Sequence, residues 1–391
     1  MRVLGVSKNS DSGVQQGGNL SQLFKSSTIK GRYHHLDISN VPLGSNYYSL
    51  ISNCIDKYDI STVIFYSPLL HELSQNDLSK LSNRSLLGMY VSDNPQYLTD
   101  WFRYYMLVMD FFVVAEPAEL HDYKRYLFPV FWHPKVNMTM YKDDFRVEPL
   151  PSQRKNKAVH IGLLDHRDDR RDDLESLKKI GVEYYGSGID LNFLDYENFY
   201  STLSTYKIGI AYTRSGTLTP RGSDQLLSSA RQLKGKIWDY MYSGLVVFSQ
   251  DAPYLSDFFS NSEIVIFTDS QDLKKKIEYY LDNQHELDAI FIKSQKIINK
   301  YSTKDFSEKF KNFIYEVQMN KKKRPEYTFK MYDKRHCRTI SQLCFPDIIR
   351  DTLYSKSNLL KDVPIYKFIN YGAMIYIVKF VRNGLKKWII K

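Results

Sequence analysis

The sequence predicts an α/β chain of two doubly wound parallel-sheet domains facing a cleft, followed by a basic helical extension. Three observations carry this expectation. At 391 residues the chain exceeds the size that one hydrophobic core usually serves, so two domains are expected. Short apolar runs rich in β-branched and aromatic residues recur along the first four-fifths of the chain, and each ends in a polar loop. Several of these runs lead into helical patterns, the repeat that a parallel sheet covered by helices requires. A charged, polar stretch from residue 142 to 157, containing Pro149 and Pro151, interrupts the pattern and separates residues 1–150 from 151–320.

In the first domain, RVLGV at residues 2–6 reads as a strand. It leads to a loop with Gly13, Gly17, Gly18 and Asn19 before the helical LSQLFK. A glycine-rich turn after a first strand lets backbone approach an anion, so Gly17 and Gly18 are candidate ligand contacts and Asn19 a helix cap. The spacing does not match the dinucleotide fingerprint. Tyr33, His34 and His35 open a further strand, and the two histidines are read there as packing or surface residues. STVIFYSP at 61–68 and SLLGMYVSDNP at 85–95 are strand-to-loop transitions, the second placing Asp93 just past its strand. DFFVVAEPAELHDYKRYL and, at 131–141, FWHPKVNMTMY follow before the interrupting stretch.

In the second domain, residues 155–188 read as strand, loop, helix and strand. YKIGIAYTRSG at 206–216 is an apolar strand whose loop would turn Thr213 and Arg214 toward the cleft. The most informative segment is 231–259, RQLKGKIWDYMYSGLVVFSQDAPYLSDFF. Lys234 and Lys236 precede a short helix over 237–242 that Gly244 can close, and 245–248 is a strand buried on both faces. A diphosphate at the carboxyl end of such a strand, near a lysine-flanked helix start, meets positive charge and backbone N–H groups together. Residues 264–267 form one more strand. Asp269 or Ser270 caps the helix that follows, through Tyr280, with Leu273, Ile277, Tyr280 and Leu281 on its apolar stripe. From 304 to 317, Phe306, Phe310, Phe313, Ile314 and Val317 share a helical face, with Ser302 and Asp305 as a variant capping box.

This ordered set resembles the GT-B glycosyltransferases, within them the spore-maturation CgeB-like branch and the group 1 glycosyl transferases, over residues 1 to about 317. The resemblance implies two Rossmann-like domains, an N-terminal acceptor side and a C-terminal nucleotide-sugar side. It implies that the last helix crosses back onto the first domain. In KIWDYMYSG, Asp239 stands where relatives usually carry the glutamate that binds the donor ribose. The position of a second donor-contacting glutamate found in many retaining members is here Arg231. The implied activity is hexosyl transfer from a nucleotide-sugar to a hydroxyl of a glycan or lipid-linked glycan, with no metal or other cofactor. The alternative is a non-catalytic glycan or nucleotide-sugar binding protein on a degenerate GT-B fold, the reading that Arg231 keeps open.

Transfer needs the leaving diphosphate stabilised and a base for the acceptor's proton. Lys234, Lys236 and Arg214 are the candidates for the first task, with Asp239, Thr213, Gly17 and Gly18 as further donor contacts, and Asp93 is the candidate base. His71, His133 and His166 lie in loops without partners at triad or metal spacing. Cys54, Cys337 and Cys344 are too few and too scattered for a disulfide framework. With a strand at the N-terminus and no membrane-length apolar run, a cytoplasmic location is expected.

The net charge of +10 is unevenly placed. Residues 321–391 hold 17 Lys and Arg against 5 Asp and Glu, leaving 37 against 39 elsewhere, so the excess lies in the extension. Its end, PIYKFINYGAMIYIVKFVRNGLKKWIIK, mixes aromatic and apolar residues with lysines. An uncharged core of 368–378 is too short to span a bilayer but suited to lying on an anionic membrane surface. Packing on the protein itself is the competing reading. No recognised module supports nucleic-acid binding.

Overall fold

The structure, a computed structural model, describes residues 1–7, 32–38, 41, 46–66, 73, 75–91, 109–115, 117, 129–133, 149–162, 176–186, 199–213, 231–298, 301 and 303–321. The glycine-rich loop with Gly17 and Gly18, the loops with Asp93, His71 and His166, Arg214 and the basic extension past Lys321 lie outside these residues.

The first domain is a parallel sheet of β1 (Val3–Ser7), β2 (Tyr33–Asp37), β3 (Thr62–Tyr66), β4 (Leu86–Val91), β5 (Phe111–Val114) and β6 (Val130–Trp132). They lie in the order β2-β1-β3-β4-β5-β6. The second holds β7 (Lys155–Ile161), β8 (Glu183–Tyr185), β9 (Tyr206–Ala211), β10 (Val246–Gln250) and β11 (Val265–Phe267), again all parallel, in the order β11-β10-β9-β7-β8. β7 starts at Lys155, so the last residues of the expected linker already belong to the sheet. Every residue of β1, β3, β4, β5 and β9 is buried, which is why these strands read as unbroken apolar runs rather than alternating ones. Each sheet changes winding direction once, between β1 and β3 and between β7 and β9. A crevice opens at the carboxyl ends of the strands at such points. The two Rossmann-like domains flank a cleft.

In chain order the helices are α1 (Tyr47–Tyr58), α2 (Gln75–Ser82), α3 (Phe199–Leu203), α4 (Lys236–Tyr242), α5 (Leu255–Phe258), α6 (Ser270–Asp282), α7 (Gln284–Ile298) and α8 (Thr303–Lys321). α6 starts as expected, the Asp269 carboxylate accepting from the Asp272 amide at 2.9 Å, and buries Leu273, Ile277 and Leu281. α4 ends in a Schellman motif: Leu245 N–H donates to Tyr240 O at 2.9 Å and Gly244 N–H to Met241 O at 3.0 Å. Gly244 has φ of 77°, a conformation that costs glycine no Cβ clash.

α8 crosses back onto the first domain. Phe310 and Phe313 meet Phe111 at ring separations of 6.4 and 5.7 Å and Phe131 at 5.1 and 5.5 Å. At its end Lys321 Nζ donates to Asp110 Oδ2 at 3.0 Å and to the carbonyls of Ser82 and Ser85 at 2.6 and 3.2 Å. A second aromatic contact ties the domains at the cleft. Trp132, ending β6, lies 5.9 Å from Trp238 of α4 and 4.7 Å from Phe258 of α5, and Tyr301 packs on all three.

Candidate active site

The second domain's winding reversal puts the carboxyl ends of β7 and β9 side by side, and α4 lies against them. Its side chains grip the end of β7 at one helical turn's spacing. Tyr240 Oη accepts from the Ile161 amide at 2.9 Å, and Lys236 Nζ donates to the Ile161 carbonyl. Residues four apart on a helix share a face, so one face of α4 takes both backbone groups of a single strand residue. Lys236 is thereby a half-buried, directed ammonium rather than a solvated surface lysine. A Cβ added at Gly162 would stand 2.8 Å from its Nζ.

His160, which the sequence reading passes over, is fully buried one residue before. Its Nδ1 lies 2.8 Å from Ile210 O, and since a carbonyl only accepts, Nδ1 carries the proton. The ring packs between Tyr184 and Tyr212 at 5.7 and 5.0 Å. Nε2 is directed to Gly162, where an added Cβ would lie 3.2 Å away. A Cβ at Gly186 would sit 2.0 Å from Gly162 O, so the chain leaving β8 runs backbone to backbone against the end of β7. The amide of Gly162 also donates to Tyr185 O at 2.9 Å. The signal in the sequence was a histidine inside an apolar strand, two residues before a glycine.

Asp239 lies in the first turn of α4 at 1% exposure, with Trp238 beside it turned into the interdomain aromatic cluster. Lys234 Nζ donates to Gln232 Oε1. Thr213 is fully buried: its hydroxyl donates to Asp251 O at 2.8 Å, its amide to Gln250 Oε1 at 3.2 Å, and its carbonyl accepts from Gln232 N at 2.9 Å. It joins the loop after β9 to the loop after β10. Arg231 Nη1 donates to the same Asp251 carbonyl at 3.2 Å, so the arginine in the glutamate position braces that loop. Lys236 and Thr213 therefore lie at the carboxyl ends of β7 and β9, Lys234 stands just before α4, and Asp239 is buried within the helix. No cluster of three or more His, Cys, Asp or Glu side chains is assembled among the described residues.

Among the histidines read as loop residues, His133 is fully buried at the end of β6 against Phe306 of α8, and burial holds it neutral. Among the described residues no helix is long and apolar enough to cross a membrane.

The architecture agrees with solved structures. Sucrose-phosphate synthase from Thermosynechococcus elongatus superposes with a TM-score of 0.54 at 11% identity, over 82% of this chain and 99% of that one. Anabaena HepE, solved with UDP and glucose, gives 0.53 at 12% identity, over 81% and 100%. The chain has the GT-B fold. Residues 168–309, which include α4 and β8 to β11, match the sequence model of a family described as Glycosyl transferase-like. TarM is matched over 69% of this GT-B chain at 16% identity and a TM-score of 0.47, and the chain spans only 58% of TarM's length. No curated protein sequence matches the chain significantly.

Proposed function

We propose that this GT-B protein is a metal-independent glycosyltransferase that moves a sugar from a nucleotide-sugar donor to a hydroxyl of a glycan or lipid-linked glycan. The observation carrying the proposal is the fixed ammonium of Lys236 at the winding reversal of the second sheet, with Asp239 three residues on along the same helix. Lys236, with Lys234 and Arg214, would meet the donor diphosphate and stabilise it as it leaves, charge aimed in advance at charge that develops. Asp239 would accept from the ribose hydroxyls, and Thr213 would hold the loops that frame the base. Within the fold, KIWDYMYSG favours the CgeB-like branch and its group 1 relatives. HepE, with UDP and glucose bound, supports a nucleotide-sugar as ligand class. The basic extension would bring the enzyme to an anionic membrane surface where a lipid-linked acceptor resides.

The test is thermal stabilisation by UDP, GDP, CMP and ADP and their sugars, repeated with Lys236→Met and Asp239→Asn. One nucleotide class should raise the melting temperature, and Lys236→Met should weaken its apparent affinity about tenfold, the loss of roughly 1.4 kcal/mol of charge-assisted contact. No stabilisation by any nucleotide would overturn the donor assignment. It would favour the non-catalytic glycan-binding reading, in which Arg231 braces an emptied site.

A further inference from the structure

Beside the winding reversal of the first sheet, on its β1–β2 side, Ser7, His35 and Asp37 share one face. β1 and β2 pair with Gly5 opposite His35 and Ser7 opposite Asp37, so all four residues project from one face. Ser7 ends β1 and is fully buried. Its Oγ lies 2.5 Å from His35 Nε2, which tilts the ring toward the carboxyl edge of the sheet. His35 is itself exposed at the border of the sheet, with Nδ1 directed away from the serine. Partial desolvation of the ring lowers its affinity for a proton, and Asp37, a carboxylate that would stabilise the cation, opposes that. Among the described residues, β1 offers this face only Gly5 and Ser7 beside it. β2 adds Tyr33, which covers Gly5, and Asp37.

We propose that His35 is the base that takes the acceptor hydroxyl's proton, with Ser7 and Asp37 as positioning residues. The assignment rests on the glycosyl-transfer reading. When Nε2–H donates to Ser7 Oγ, Nδ1 holds a lone pair for the acceptor proton. The acceptor oxygen bonds to the anomeric carbon, and the bond from that carbon to the diphosphate oxygen breaks with its electron pair leaving on the nucleoside diphosphate. The proton passes to Nδ1 and then to water. Such a single displacement inverts the anomeric centre. The role moves from Asp93 to a residue whose partner is 28 positions away, across a segment that no local spacing could bridge.

The experiment is release of nucleoside diphosphate from UDP-, GDP- and ADP-sugars with water as acceptor, followed against pH for the parent chain, His35→Gln, Ser7→Ala and Asp93→Asn. Nucleotide-induced thermal stabilisation serves as the check on folding and donor binding. His35→Gln should lower kcat roughly 10²–10⁴-fold, remove the acidic limb of the profile and leave donor stabilisation intact. Ser7→Ala should keep the limb but displace its midpoint. If His35→Gln keeps the limb and Asp93→Asn loses it, the proposal is overturned and the aspartate is the base. If no donor is turned over by the parent chain, the transferase reading falls and the proposal with it.

Discussion

Acidification should loosen the joint between the domains through one buried histidine. His133 is fully buried between the end of β6 and Phe306 in the first turn of α8, its ring 5.3 Å from that of Phe306. Burial lowers its pKa from 6.5 to about 3. The folded chain therefore binds fewer protons at this site than the unfolded chain between those two values. Stability from this group is complete above pH 6.5 and is lost progressively as pH falls from there toward 3. Each pH unit is about 1.4 kcal/mol, so at pH 5 the loss is about 2 kcal/mol. For a folding unit of 150–250 residues that corresponds to a fall in melting temperature of roughly 4–8 °C. Carboxylates titrate over part of the same range, so the informative quantity is the difference between the parent chain and His133→Phe, which keeps the ring's size but cannot take the proton. Measured by scanning fluorimetry from pH 7.5 to 4.5, the variant should gain on the parent as pH falls, whatever its offset at neutral pH. Parallel curves would refute the argument, since they would mean that the histidine is as easily protonated folded as unfolded.

Lys321→Met should lower stability by roughly 2–4 kcal/mol in urea titrations, because Asp110, whose side chain is 2% exposed, would lose the ammonium that compensates its buried charge. Adding Asp110→Asn should recover part of the loss, and additive effects of the two changes would show that they do not act as a pair. Lys207, buried in β9 at 1% exposure with Nζ 3.1 Å from Asn156 Oδ1, has its pKa lowered by burial against the opposing charge of Asp288. Its charged form is costly below the folded pKa, so Lys207→Met should raise the melting temperature at pH 7, with the gain shrinking in alkali. A lower melting temperature at pH 7 would mean that the Asn156 and Asp288 interactions outweigh the cost of burial.

The strands were legible because parallel pairing buries both faces, and runs such as TVIFY and FFVV admit few other readings. Gly244 and Asp269 were legible for a local reason: a left-handed C-terminal turn and an N-cap are decided by one or two residues. α7 was passed over although Leu287, Ile290, Phe291, Ser294 and Ile298 recur at helical spacing, since the reading followed strands and their loops. The site divides along the same line. Lys236 and Asp239 lie within one short helix, so sequence spacing brought them together. What makes Lys236 directional is different. The Ile161 carbonyl is 75 residues upstream and becomes its neighbour only through the order of β7 and β9 in the sheet. The partners of His160 and the Ser7–His35 pair were not legible for that same reason, being products of strand order and register and not of spacing. Both lie at the carboxyl edge of a sheet, beside its change of winding. In an open parallel sheet, that edge is where strand ends leave polar groups that no neighbouring strand satisfies, and a ligand can. On the proposed reading, the edge of the second sheet is the donor side, with the fixed charge of Lys236, and the edge of the first presents the His35 imidazole to the acceptor. That division of labour is what transfer between two separately bound substrates requires.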